Sequence, residues 1–270
     1  MERRTLVFFH AHPDDEAIAT GGTMIKAADA GHRVVLVVAT KGEHGEVEEG
    51  FLDPGEALAD RRVKETHAAA DVLGVQRVEF LGYVDSGMIG TPENDNPDSF
   101  WQAEVDEAAG RLAAILTEEE ADVLTIYDEN GVYGHPDHMQ IHRVGSRAAE
   151  LAGTPRVFMS TVDQDRIMRL MKEAQESGEM ELPGDLDLED FTLGVPGHRI
   201  TTTVDVTDVT DRKRQAMAAH ASQISETSFF LAMKPEQFRV AFGYEDYILC
   251  VPDPAGLDGP LPADNLLEGL

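Results

Sequence analysis

The chain has 270 residues, 42% of them hydrophobic, and sets 51 acidic against 22 basic side chains for a formal net charge of −29. That size is ample for a large α/β domain, and the charge excludes nucleic acid and anionic membrane surfaces as partners, since both would be repelled. The single cysteine, Cys250, excludes an intramolecular disulfide and a Cys-based zinc cluster, and it fits a reducing, cytoplasmic setting.

Hydrophobic patterning places the elements in order. Thr5–His10 is an apolar β-type run, too short and too poorly flanked for a signal peptide, and no run is long enough to span a bilayer. A helix over Glu16–Ala30 is closed by Gly31. The continuous β-branched run Arg33–Ala39 predicts a parallel strand buried on both faces. A polar, Gly-rich loop over 40–55 leads to an amphipathic helix, Glu56–Leu73, and a third strand, Arg77–Leu81. After the long loop 82–100 come a helix over Trp101–Glu118, a fourth strand over Asp122–Tyr127, the loop 128–135, a helix over Asp137–Leu151 and a fifth strand over Arg156–Thr161. This alternation predicts an α/β fold, a Rossmann-like parallel sheet of about five strands flanked by helices, with right-handed crossovers.

The chain reads as one domain, 1–270, with the core in 1–161. Residues 162–251 read as irregular C-terminal additions: a helix over Asp163–Ser177, an exposed acidic excursion over Gly178–Glu189, a strand-like alternation over Ile200–Val206, a helix over Asp208–Ser222 and a last strand within Phe238–Val251. Residues 252–270 read as a loose tail.

The stretch His10-Ala-His-Pro-Asp-Asp-Glu16 falls on the turn from the first strand into the first helix, where open α/β sheets bind ligands. Imidazole and carboxylate suit zinc, and Pro13 biases His12 away from helical geometry. Alone, this turn reads equally as a helix N-terminus favoured by Asp14 and Asp15. A second His-Pro-Asp, within Tyr133-Gly-His-Pro-Asp-His138, follows the fourth strand at another such turn, and the pair decides for a metal. His12, Asp15 and His138 then supply the two-histidine, one-carboxylate pattern of a catalytic Zn²⁺ with an open position, with Fe²⁺ as the alternative ion. Asp14, beside a ligand, is free to act as a base, and Tyr133 and His135 lie next to the metal.

Together the two motifs resemble the signature pair of the LmbE-like (PIG-L) zinc deacetylases, which remove acetyl from N-acetylglucosaminyl groups. Thr40-Lys-Gly-Glu-His-Gly-Glu46, Leu81-Gly-Tyr-Val-Asp-Ser-Gly-Met88 and Ala219-His-Ala-Ser-Gln223 extend the resemblance to the mycothiol-pathway branch, both its N-acetylglucosaminyl-inositol deacetylase and its S-conjugate amidase. It covers about residues 5–250, but 163–198 carries no matching motif and leaves the substrate open. The resemblance implies that His12, Asp15 and His138 bind zinc, that Asp14 is the general base, that Tyr133 and His135 assist the oxyanion or the leaving amine, and that Asp137 orients His135. It also implies that Glu46, Arg62 and Asp85 contact the sugar or inositol, while His220 matches without a role.

Read from the residues alone, Glu46 and Asp85 are solvated loop acids, and Arg62 equally faces the site from the second helix or pairs with Glu65 or Glu56. His10 packs at the strand end and His142 against its helix, whereas His32, His44, His67 and His198 read as surface or loop residues. The implied function is hydrolysis of the acetamido group of a small N-acetylated amino sugar, with the S-conjugate amidase and other sugar deacetylases as alternatives. A metal-dependent phosphoesterase fits less well, since such sites carry more carboxylates and favour nearby bases. A homo-oligomer stays open. The acidic surface, with only six lysines, fits solubility and, more sharply, adaptation to high salt.

Overall fold

The computed structural model describes residues 2–176, 193–252 and 263–268. Strand β1 (Thr5–His10) leads through a π-helical turn (Glu16–Thr20) into α1 (Gly21–Asp29). Next come β2 (Arg33–Val38), α2 (Leu58–Leu73), β3 (Arg77–Phe80), α3 (Val105–Glu118), β4 (Val123–Tyr127), a kinked turn α4 (Gly131–Gly134), α5 (Pro136–Ala152) and β5 (Arg156–Thr161). The chain continues through α6 (Gln164–Glu176), β6 (Thr202–Asp205), α7 (Thr210–Ala219), the short α8 (Phe229–Ala232), α9 (Pro235–Phe242) and β7 (Tyr244–Val251).

The strands form one sheet in the order β3-β2-β1-β4-β5-β7-β6. The first five are parallel; β7 pairs antiparallel with β5, and β6, antiparallel to β7, forms the margin and runs in the direction of the first five. Successive side chains on a strand point to opposite faces, so β1 feeds two cores. Val7 and Phe9 pack with Leu112, Ile141 and Val144, while Leu6 and Phe8 pack with Met24, Leu73 and Met217. Strand order reverses between β1 and β4, so the turns that leave these two strands flank the crevice where such sheets take ligands.

Three features differ from the sequence expectation. First, the sheet has seven strands, because the stretches read as additions supply β6 and β7, while Phe238 sits on α9. Second, the first helix is interrupted. The Glu245 carboxylate accepts from the Gly22 and Thr23 N–H groups at 2.8 Å each and from the Thr23 hydroxyl, and Lys213 Nζ lies 2.7 Å from it. Glu245 thus satisfies donors that meet the axis break at the π-to-α junction. Glycine is required there, since a Cβ on Gly22 would lie 2.4 Å from Val206 Cβ. Third, residues 263–268 are not loose. Thr203 N–H donates to Ala263 O at 2.9 Å, Leu266 is buried, and Arg156 donates to the carbonyls of Leu266 and Glu268 at 3.1 and 2.6 Å.

The acidic excursion Gly178–Glu189 and the segment 253–262 lie outside the described residues. Among the described residues no helix is long and apolar enough to cross a membrane.

Candidate metal centre

The site is built where β1 and β4 end. The His12 N–H donates to Asp15 Oδ2 at 2.9 Å, closing the turn after β1. That same carboxylate oxygen lies 3.4 Å from both His12 Nδ1 and His138 Nε2. His12, His135 and His138 each offer a ring nitrogen within 4.8 Å of the others. The other ring nitrogen of His12, Nε2, faces Asp137 Oδ2 at 3.1 Å and Asp85 Oδ1 at 3.6 Å. An imidazole that bonds a carboxylate through one nitrogen presents the other to a cation. His12 Nδ1, Asp15 Oδ2 and His138 Nε2 thus stand together as candidate donors. The His138 ring is held flat on Tyr127, with centroids 4.5 Å apart.

The electrostatics fit a cation. Burial disfavours charge on His12, yet the carboxylates of Asp137, Asp15 and Asp85 hold its pKa well above the ordinary value. Asp15 is held well below the carboxylate range, against burial, by His138 and His12. Neutral imidazoles with a carboxylate are donors for zinc and its neighbours in the first transition series. His12, Asp85, His135 and Asp137 also cluster within 4.8 Å, but their carboxylates are already committed. Asp137 accepts from the Ser86 N–H at 2.9 Å and from its hydroxyl, and Asp85 accepts from the Gly87 and His44 N–H groups at 2.8 and 3.2 Å. Asp137 and Asp85 thus flank His12 Nε2, with Asp137 within hydrogen-bond distance of it.

Asp14 stands beside the donor set with φ +104°, a left-handed backbone. Its N–H donates to Glu16 Oε2 at 3.0 Å, and its carbonyl accepts from Ala17 and Ile18, both at 3.1 Å. Burial pushes its carboxyl up to about 6, against the pull of Arg62, whose guanidinium lies 3.4 Å away. Arg62 also donates to the carbonyls of Gly42 at 2.9 Å and Pro13 at 2.5 Å, so it serves the site and leaves Glu56 to Arg61.

His135 caps α5: its Nδ1 accepts the Asp137 N–H at 3.1 Å. Burial, then the neighbouring His12 and His138, lowers its pKa to about 4. A neutral imidazole that accepts at Nδ1 carries its proton on Nε2, so His135 offers one N–H donor. The Tyr133 hydroxyl lies 3.4 Å from His138 Nε2. The turn that carries it is strained, since Val132 is β-branched at φ +65°. Asp128 Oδ1 accepts the Val132 N–H at 3.1 Å, and the Val132 carbonyl accepts from Gly194 at 2.8 Å.

The fold therefore brings together His12, Asp14, Asp15, Arg62, Asp85, Tyr133, His135, Asp137 and His138. Glu46 stands apart and exposed, with its backbone carbonyl taken by Gln223 at 3.0 Å. The Asp137 carboxylate lies on His12 and not on His135, which it meets only through its backbone N–H. His32 is buried rather than a surface residue and accepts the Arg4 N–H at 3.1 Å. His142 packs as expected, with Nδ1 3.0 Å from the Tyr127 carbonyl. His10 does too, 2.6 Å from the Tyr127 hydroxyl and 2.8 Å from Thr20 Oγ1. Sequence reasoning gave no part to Ser86, Tyr127 or Glu16. Ser86 lies inside a quoted motif, but only the folded chain shows what it holds.

Fold and site together define an α/β protein with a cluster of His and Asp side chains that could bind a metal, at the carboxyl edge of the parallel strands. Residues 7–149 match the family described as PIG-L, GlcNAc-PI de-N-acetylase, and the chain belongs to that family. It is 39% identical over 290 residues to 1D-myo-inositol 2-acetamido-2-deoxy-alpha-D-glucopyranoside deacetylase 1 of Catenulispora acidiphila, covering 99% of this chain and 90% of the relative. Among solved structures it is similar to N,N'-diacetylchitobiose deacetylase from Pyrococcus horikoshii, with TM-score 0.59, 23% identity, and 95% and 90% of the two chains covered. It is also similar to the 4-carboxy-2-hydroxymuconate hydratase GalB of Pseudomonas putida, with TM-score 0.55, 18% identity, and 92% and 97% covered. These two likenesses show the fold, and a deacetylase beside a hydratase shows that the fold hosts more than one chemistry.

Proposed function

We propose that the chain is a zinc-dependent deacetylase that hydrolyses the acetamido group of an N-acetylglucosaminyl substrate, with the inositol glycoside named for its relative as the first candidate. The observation that carries this reading is the Asp15 carboxylate placed between His12 Nδ1 and His138 Nε2, with a second carboxylate, Asp14, next in the chain. His12, Asp15 and His138 would hold the ion, which when bound supplies Lewis acidity toward a carbonyl and acidifies water.

The chain's own residues account for the proton movements. Asp14, raised toward neutrality by burial, takes a proton from the attacking water, the role suited to a base whose pKa lies near the working pH. Arg62 fixes the orientation of that carboxylate. The His135 Nε2–H and the Tyr133 hydroxyl donate to the developing oxyanion, an interaction of a kind typically worth about 3–4 kcal/mol per donor. The proton held by Asp14 then passes to the departing amine. The substrate is a small N-acetylated amino sugar, the setting cytoplasmic, and the whole chain works as one unit around its single sheet.

The test is acetate release from a panel of N-acetylglucosamine derivatives, including the inositol glycoside and a thiol conjugate, by zinc-loaded chain. Release from the inositol glycoside is expected, with His12→Ala losing the metal and Asp14→Ala keeping it while losing about 10²–10⁴ in kcat. Near-normal kcat in Asp14→Ala would remove Asp14 from the base role, and cleavage of the thiol conjugate alone would favour the amidase.

A further inference from the structure

One buried ion pair takes no part in that chemistry. His220 and Glu16 are both buried from solvent, with Nε2 2.5 Å from Oε1. The other oxygen of Glu16, Oε2, accepts the Asp14 N–H at 3.0 Å. Among the described residues Asp14 is one of three non-glycine residues with positive φ, and at +104° it lies outside the ordinary left-handed well. Such backbones persist only where their surroundings over-determine them. The surroundings here are specific. Arg62 grips the carbonyl of Pro13 on one side, and Glu16 grips the Asp14 N–H on the other.

His220 is itself anchored. Its carbonyl accepts from Gln223 and Ile224 at 2.9 and 2.8 Å, and Ser222 donates its N–H and hydroxyl to Glu65 at 2.9 and 2.6 Å. A turn 204 residues away from Glu16 in the chain thus reaches the strained peptide through one carboxylate.

We propose that His220 is a positioning residue: through Glu16 it locks the Asp14 backbone in its strained turn and so fixes the Asp14 carboxylate relative to the metal ligands. The inference rests on the reading of Asp14 as base. A merely structural ion pair would cost stability when broken and leave turnover of the folded fraction intact. A positioning pair costs kcat and spares KM and metal binding.

The experiment compares His220→Leu with His220→Gln in the full, zinc-loaded chain. His220→Leu, which has no donor for Glu16, is expected to keep one zinc per chain, hold KM within about twofold and lose about tenfold to a hundredfold in kcat. His220→Gln, which keeps a donor, is expected to recover most of that loss. In an Asp14→Ala background His220→Leu is expected to cost nothing further, because the two act as a unit. A crystal structure of His220→Leu is expected to show Asp14 relaxed to negative φ.

Wild-type kcat in folded His220→Leu, or an unchanged Asp14 backbone, would overturn the proposal. Should His220→Leu fail to fold, Glu16→Gln against Glu16→Ala decides, since Gln retains an acceptor for the Asp14 N–H. Should the wild-type chain release no acetate from any derivative, the functional reading fails, and the crystal structure alone judges His220.

Discussion

Asp137 does two things with one residue. Its backbone N–H fixes the tautomer of His135, and its carboxylate, steadied by Ser86, fixes the ring of His12. A carboxylate behind a metal-bound imidazole typically carries 10- to 100-fold in affinity. Asp137→Ala is therefore expected to weaken zinc binding by about that factor, read by competition with a chromophoric chelator. Affinity equal to wild type would show that His12 needs no such support. That His12, Asp15 and His138 would come together was legible in the sequence, because His-Pro-Asp recurs at two strand-to-helix turns. The partner of Asp137 was not, because His12 and Asp137 are 125 residues apart and meet only across the β1–β4 crevice. Glu16 was equally silent, since an acid in the first turn of a helix reads as a dipole effect until His220 is seen against it.

At the scale of elements, parallel strands announce themselves as apolar runs, and β1, β2 and β5 match the sequence reading within a residue or so. β6 and β7 were visible as alternating stretches, but nothing local says that a strand joins a particular sheet or runs antiparallel to it. The interrupted first helix was also hidden, because its cause is Glu245, a residue of β7. The opposite edge of the sheet offers a pH test. Glu119, at the end of α3, binds Arg33 and Arg77 and so clamps β2 to β3, with Arg33 Nη2 and Arg77 Nη1 each at 2.8 Å. Hydrogen bonds from Arg33, then Arg77, hold its carboxyl down at about 2 from an ordinary 4.5. A depressed carboxylate contributes stability that is complete above its unfolded pKa and is lost as pH falls through its folded one. Glu119→Gln is thus expected to be less stable than wild type at pH 7, with the gap in urea unfolding narrowing as pH drops below about 4.5. A gap constant with pH would mean that the clamp acts by packing and not by charge.

For the whole molecule the dominant fact is a charge of −29 on one chain. Self-repulsion of that size destabilises the compact state and is screened by salt, with a Debye length of about 10 Å at 0.1 M and about 3 Å at 1 M. The melting temperature is expected to rise by several degrees between those concentrations of NaCl. A flat or falling curve would remove high-salt adaptation as a reason for the acidic surface. The overall architecture was legible because five strands and their helices occupy the first 161 residues in strict alternation. The fate of residues 263–268 was not, since a polar, Pro-rich tail gives no local sign that Arg156 and Thr203 will take up its carbonyls.

The way these parts are spread along the chain gives synthesis an order. Every candidate metal donor has been polymerised once residue 138 is added, whereas the imidazole behind Glu16 and the carboxylate at the helix break follow at 220 and 245. A nascent chain therefore carries the whole set of candidate cation donors before the residue proposed to brace the Asp14 turn is translated. On the proposed roles, the metal donors and the brace behind the base are separated in synthesis by about eighty codons.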